Sequence, residues 1–174
     1  MELLQIFQNR RSVRQYTDAP IPEETLTKIL QAGLLSASGK AIRPWEFIVV
    51  RNRETLNALA GCRTTPVKML QEAACAIVVL GDESKSDVWV EDCSVAMANM
   101  HLMADALGVG SCWVQGRLRE ASDGQTSEAF VRDLLGFPQE MRLQAILTLG
   151  MPAKHPAPHA LEELPMEKIH QERF

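Results

Sequence analysis

No apolar run in the sequence approaches the roughly 20 residues that a membrane-spanning helix requires. The longest, residues 73–80, is strand-sized, so no membrane partner is expected. The amino-terminal segment lacks the apolar stretch and small-residue cleavage site of a secretion signal, running instead from Glu2 into Arg10 and Arg11. A cytoplasmic protein is expected. There is no excess of positive charge: the formal net charge is -4 and the pI is near 5.6. The general attraction for nucleic acid or anionic lipid is therefore missing. Cys62, Cys75, Cys93 and Cys112 lie 13 to 19 residues apart. None forms a C-x2-C pair that would hold zinc or an iron–sulfur cluster, so reduced thiols and no metal are expected. Cys75 and Cys112 sit in apolar runs, where a free thiol acts as a small hydrophobe. A nucleophile elbow, a P-loop and an H-E-x-x-H motif are all absent, which leaves hydrolysis and phosphoryl transfer without carriers. Internal repeats and low-complexity stretches are lacking too.

What is present is an ordinary globular composition. The chain has 174 residues, 46% hydrophobic and 23% charged, which suits one domain over residues 1–174. Leu3, Leu4, Ile6 and Phe7 recur at helical spacing and predict a short first helix that ends in a basic cluster. Pro22 suits the first position of a second helix, with Glu23 and Glu24 in its first turn and Leu26, Ile29, Leu30 and Gly33 as its buried stripe. Residues 47–50 and 73–80 predict buried strands, the second ending at Gly81-Asp82, and residues 53–62 a surface helix between them. Residues 90–107 read as a central helix, apolar nearly all round, capped by Gly108. A short strand over 112–114, a helix over 125–135 and a strand over 143–149 follow. Residues 151–174 are Pro- and His-rich and then amphipathic. They are too short for a domain and too apolar for a free linker, so an arm packing on a partner subunit is expected. Strands separated by helices indicate a mixed α and β layer.

Several clusters carry chemistry. Arg10, Arg11 and Arg14 surround Ser12 at the end of the first helix, and guanidinium forks match phosphate oxygens bidentately. Ser36-Ala37-Ser38-Gly39-Lys40 offers small side chains and a flexible backbone that approach a planar ligand closely. Gly108, Gly110 and Gly116 superficially suggest a dinucleotide fingerprint. They follow a helix, whereas that fingerprint follows a strand, so a Rossmann site is rejected. His101 reads as a satisfied core or interface histidine, while His155, His159 and His170 are scattered in the tail. Met97, Met100 and Met103 read as core packing.

Taken in order, these segments resemble the nitroreductase-like flavoprotein family over nearly the whole chain. Arg10-Arg11-Ser12-Val13-Arg14-Gln15-Tyr16 resembles its basic motif, which implies contacts to the FMN phosphate and flavin pyrimidine. Ser36-Ala37-Ser38-Gly39 through Pro44-Trp45-Glu46-Phe47-Ile48-Val49-Val50 is similar to its small-residue loop and following strand, which implies contact with the flavin of the other subunit. Asp92-Cys93 through Gly110-Ser111-Cys112-Trp113 resembles the central dimer helix and the turn behind the flavin. Trp113, Val114, Gln115 and Gly116 fall where the family's backbone meets the flavin edge.

The resemblance implies an α+β fold, a three-layer α-β-α arrangement with a central mixed β-sheet, in an intertwined homodimer. It implies FMN as cofactor, NADH or NADPH as reductant and ping-pong transfer to a nitroaromatic, quinone or similar small acceptor. No catalytic side chain is implied, because the flavin carries the hydride. The chain departs from the family in three places. Ala41 and Arg43 stand where Asn and Gln are common, which alters polar readout of the flavin rim. The usual basic residue near the C-terminal arm is replaced by Glu162-Glu163-Leu164-Pro165, leaving Lys154 or Arg173 as its substitute. The stretch between Gly61 and Ala73 is short, which trims the cover over substrate. The alternatives are a non-catalytic flavin-binding or sensor protein of the same fold, a dehalogenase or flavin-destructase relative, and a flavin-free interaction protein.

Overall fold

The computed structural model describes residues 2–174. Its helices are α1 (Leu3–Asn9), α2 (Glu23–Leu34), α3 (Arg53–Leu59), α4 (Met69–Glu72), α5 (Trp89–Ala106) and α6 (Ser127–Leu135). Its strands are β1 (Trp45–Val50), β2 (Cys75–Asp82), β3 (Gly110–Gln115) and β4 (Met141–Gly150), in the order β1-β2-β4-β3.

The two central strands explain the layering. β2 is buried along its whole length, as a continuous apolar run requires when both faces of a sheet are covered. Alternation sends Cys75, Ile77 and Val79 to one face and Ala76, Val78 and Leu80 to the other. The first face meets Leu26 and Ile29 of α2 and Met97 and Met100 of α5. The second meets Leu56 and Leu59 of α3, Leu70 of α4 and Val131 of α6. The result is the expected α-β-α sandwich of an α+β fold, with its core in two halves. Each pair of neighbouring strands runs antiparallel. Among the described residues the expected mixed character is confined to one parallel bridge, between Ser12 and Ser111.

Several boundaries differ from expectation for physical reasons. β1 begins at Trp45 and is an edge strand, so Glu46 is exposed and residues 47–49 are only partly covered rather than buried. β2 runs through Gly81 and Asp82 instead of turning there. Gly81 serves packing, because a Cβ at that position would lie 2.5 Å from Cε3 of Trp89. The helix expected over 53–62 is α-helical only to Leu59, and Ala60–Cys62 tightens into a 3₁₀ turn. Pro22 stands just before α2 as its cap rather than inside it. The four-residue α4 carries too few periodic positions to be foreseen. α5 closes as anticipated, with Gly108 at φ 75°. Met97 and Met100 are fully buried and Met103 packs against them. The four cysteines are free and buried, and burial pushes the Cys62 thiol up to about 11 and those of Cys75 and Cys93 to about 12. No helix among the described residues is long and apolar enough to cross a membrane.

Candidate functional site

Residues 12–17, which follow α1, run along the edge of the sheet. The Val13 amide donates to the Ser111 carbonyl (2.9 Å), the Thr17 amide to Met151 (2.8 Å) and the Ala153 amide to Gln15 (3.0 Å). Two glycines allow this close seating. A Cβ on Gly110 would lie 2.7 Å from Cγ1 of Val13, and one on Gly150 would lie 2.5 Å from Cγ of Tyr16. The buried Tyr16 hydroxyl donates to the Val13 carbonyl (2.7 Å) and also lies 2.7 Å from Oγ1 of Thr148. Burial raises its pKa.

This seating presents the basic cluster at the surface. Arg10, Arg11, Ser12 and Arg14 line a cleft of about 290 Å³ with Pro156 and His159. Ser12 and Arg14 also line an adjoining cleft of about 460 Å³ with Gln15, Lys154 and Pro156. Among the described residues none of these three arginines has a carboxylate partner. Arg10 reaches Nε2 of His101 at 3.1 Å, Arg11 donates to the Ala157 carbonyl, and Arg14 donates weakly to the Ser12 carbonyl at 3.4 Å. Guanidinium groups without carboxylate partners, an ammonium and a hydroxyl around two adjoining clefts that share Ser12 and Arg14 are the donor set for a phosphate monoester. Another cleft of about 250 Å³ lies beyond Gly116 and includes Trp89, Arg117 and Arg142. Its charges are partly internal, since Arg142 faces Glu128 at 3.3 Å and Glu83 at 3.6 Å, which makes it the poorer anion site.

The loop after α2 is held from its own side of α5. The Gly39 amide donates to Oδ1 of Asp92 (2.8 Å), the Arg43 amide to Oγ of Ser38 (2.9 Å) and Nδ2 of Asn99 to Oγ of Ser36 (2.8 Å). Lys40, Ala41 and Arg43 all adopt left-handed backbone, with φ of 51°, 57° and 53°. Such strain in non-glycine residues is found where the surroundings over-determine a loop. Ala37, Ala41 and Arg43 are exposed, and Ser38 and Gly39 are half-buried. At the end of β3, Trp113 and Gln115 are half-buried, whereas Val114 and Gly116 are buried. The Trp113 indole donates to Oε1 of Gln115 (2.9 Å). A bulge in β4 at Gln144 turns its carbonyl toward the amides of Gly116 (3.4 Å) and Arg117 (3.0 Å), fixing where β3 ends.

The basic cleft and the start of β3 come together through the Ser12 bridge. The loop does not join them within one chain. Gly39 is tied to Asp92 and Arg10 to His101, positions about 14 Å apart along the helix axis. Asn99 and His101, the nearer anchors, project roughly 200° apart around α5. Lys154, not Arg173, shares a cleft with Ser12 and Arg14. Sequence reasoning missed Arg63, whose Nη1 donates to the Gln115 carbonyl (3.3 Å), and gave His159 no role. Neither has a local signal, since both reach the site through tertiary contacts.

The sequence model described as the nitroreductase family matches residues 7–65 and 62–151. A protein of Archaeoglobus fulgidus, provisionally named NADH dehydrogenase/NAD(P)H nitroreductase, is 36% identical over 178 residues, which cover 99% of each chain. Among solved structures, an FMN-dependent nitroreductase from Clostridium difficile R20291 superimposes with a TM-score of 0.95 at 37% identity, over 98% of this chain and 99% of that one. A provisionally named nitroreductase of Desulfovibrio desulfuricans, solved in complex with FMN, has a TM-score of 0.79 at 25% identity, over 100% of this chain and 98% of that one.

Proposed function

The chain belongs to the nitroreductase family, and from this premise we propose that it is an FMN-dependent NAD(P)H oxidoreductase acting as a homodimer. The observation that carries the reading is the cleft of guanidinium groups around Ser12 that have no carboxylate partner among the described residues, on a chain whose net charge is -4. Its donors fit the phosphate of FMN. Bound there, FMN would supply hydride transfer from NADH or NADPH to a small acceptor such as a nitroaromatic or quinone, in ping-pong order.

The chain's own residues bind and orient. Arg10, Ser12, Arg14 and Lys154 hold the phosphate, while Arg11 ties the arm to the cleft through Ala157. Trp113, Val114, Gln115 and Gly116 back the ring with main chain, whose position the Gln144 bulge sets. Ala37, Ser38, Gly39, Ala41 and Arg43 are supplied to the same ring by the partner subunit, which accounts for their separation from the cleft within one chain. Leu3 of α1 is 68% exposed and Met166 of the arm 62% exposed, and Phe7, Leu164, Ile169 and Phe174 are exposed with them. Burying these apolar groups favours pairing, with residues 1–174 one domain whose arm, residues 151–174, packs on the partner. Neither nucleic acid nor membrane is a partner in this reading.

The test is the visible absorbance of the protein as purified. Flavin absorbance that bleaches promptly with NADH or NADPH supports the enzyme. Flavin that does not bleach assigns a flavin-binding or sensor protein of the same fold, and no flavin after incubation with FMN sinks the reading.

A further inference from the structure

Arg10 is the one arginine of the cleft whose guanidinium is held by a buried side chain. His101 lies on α5, is 7% exposed, and places Nε2 3.1 Å from Nη1 of Arg10. A guanidinium only donates, so Nε2 accepts and the ring proton resides on Nδ1. Nδ1 faces Oγ of Ser111, the residue on β3 that bridges to Ser12. The imidazole therefore joins the central helix, the first residue after α1 and the strand beneath the cleft. Asp105, one turn further along α5, is occupied elsewhere. It accepts from Nδ2 of Asn9 (2.8 Å) and faces Nε2 of His155 (3.0 Å).

The choice of side chain matters. A carboxylate in place of His101 would orient Arg10 but also neutralise it, competing with an incoming anion. A neutral imidazole orients the guanidinium and leaves its whole charge for the ligand. We propose that His101 is a positioning residue for flavin phosphate, a neutral acceptor that aims Arg10 into the cleft. The proposal rests on the FMN reading above. The charged and titratable groups facing the ring are Arg10 from the end of α1 and Asp105 from its own helix, with His155 of the arm beyond Asp105. Burial and Arg10 hold the imidazole neutral, against the weaker opposing pull of Asp105.

The test is titration of the flavin-stripped full chain with FMN and, separately, with riboflavin, which lacks the phosphate, followed by flavin fluorescence. The variants are His101→Gln, which keeps an acceptor near Nε2, His101→Asn, which keeps only the Nδ1-like donor, and His101→Leu, which keeps bulk alone. The expected result is FMN affinity about tenfold weaker in the Asn and Leu variants, nearly native in the Gln variant, and riboflavin affinity unchanged in all three. Native FMN affinity in the Leu variant overturns the proposal. So does an equal loss for FMN and riboflavin, which makes His101 a packing residue, and a Gln variant as weak as the Leu variant. Wild-type protein that holds FMN no more tightly than riboflavin overturns the phosphate reading itself, a result distinguishable from the others because no variant is needed to see it.

Discussion

Replacing Gly150 with Ala tests whether the basic segment owes its position to the glycines beneath it. The new Cβ would lie 2.5 Å from Cγ, 2.6 Å from Cδ1 and 2.8 Å from Cβ of Tyr16. Comfortable carbon contacts need about 3.5 to 4.0 Å, so the ring has to move by roughly 1 Å. It cannot do so freely, because its hydroxyl is held at 2.7 Å from both the Val13 carbonyl and Thr148. Overpacking of this kind costs about 1 to 3 kcal/mol, and one released hydrogen bond adds about 1 kcal/mol. A loss of about 2 to 4 kcal/mol corresponds to a fall in melting temperature of roughly 5 to 15 °C for a chain of this size. Gly108→Ala is the control. Nothing lies within 4 Å of its added Cβ, and its φ of 75° costs only about 1 kcal/mol. Thermal melting of both variants, paired with FMN titration, reads the difference. Gly150→Ala should melt earlier than Gly108→Ala and bind FMN more weakly, since Tyr16 and Ser12 move together. Equal melting of the two variants with native FMN binding in both would refute the argument.

Other outcomes follow from the same geometry. Arg10→Ala should weaken FMN retention about 10- to 100-fold, and the exposed Arg14→Ala by less, because solvent screens it; equilibrium dialysis measures both, and unchanged retention in folded Arg10→Ala makes the cluster a solvated turn. Burial and Arg10 hold the His101 pKa at about 4, below its ordinary 6.5. The unfolded chain takes up that proton first as pH falls, so stability is intact above about 6.5 and declines through the window toward 4, by up to about 3 kcal/mol. Urea unfolding at pH 7 and at pH 4.5 should therefore show a larger loss for wild type than for His101→Gln, and equal losses would contradict the assignment. Arg43 is exposed on the strained loop and makes no ion pair among the described residues, so its guanidinium is free to favour negative charge on a neighbouring reduced flavin. Arg43→Gln should lower the flavin reduction potential, and a shift under about 10 mV, roughly 0.5 kcal/mol for two electrons, removes Arg43 from the site.

The readable parts of this molecule are those whose cause is local. α5 was legible because residues 90–107 are apolar nearly all round and end at a glycine, and β2 because a short unbroken apolar run has few other uses. The basic cluster was legible because three arginines around a serine fall in one turn. What escaped depends on contacts between distant segments. That β4 inserts between β2 and β3 leaves no mark on either strand, and β1 looks buried by composition although it lies at the edge. Gly110 and Gly150 give no hint alone that they make room for Val13 and Tyr16. His101 was expected to be a satisfied buried histidine and is one, yet periodicity could not show that its partner is Arg10. Lys154 and Arg173 were indistinguishable by charge, and only the path of the arm puts Lys154 beside Ser12.

The central claim is that one chain's arginine cleft and the other chain's loop together make the flavin site. Native mass spectrometry of the protein as purified, supplemented with FMN, tests it most directly. The account predicts a dominant species of two chains carrying two FMN molecules, and Arg10→Ala dimers that shed them. A dominant monomer that retains FMN, or a dimer that takes up none, would contradict it.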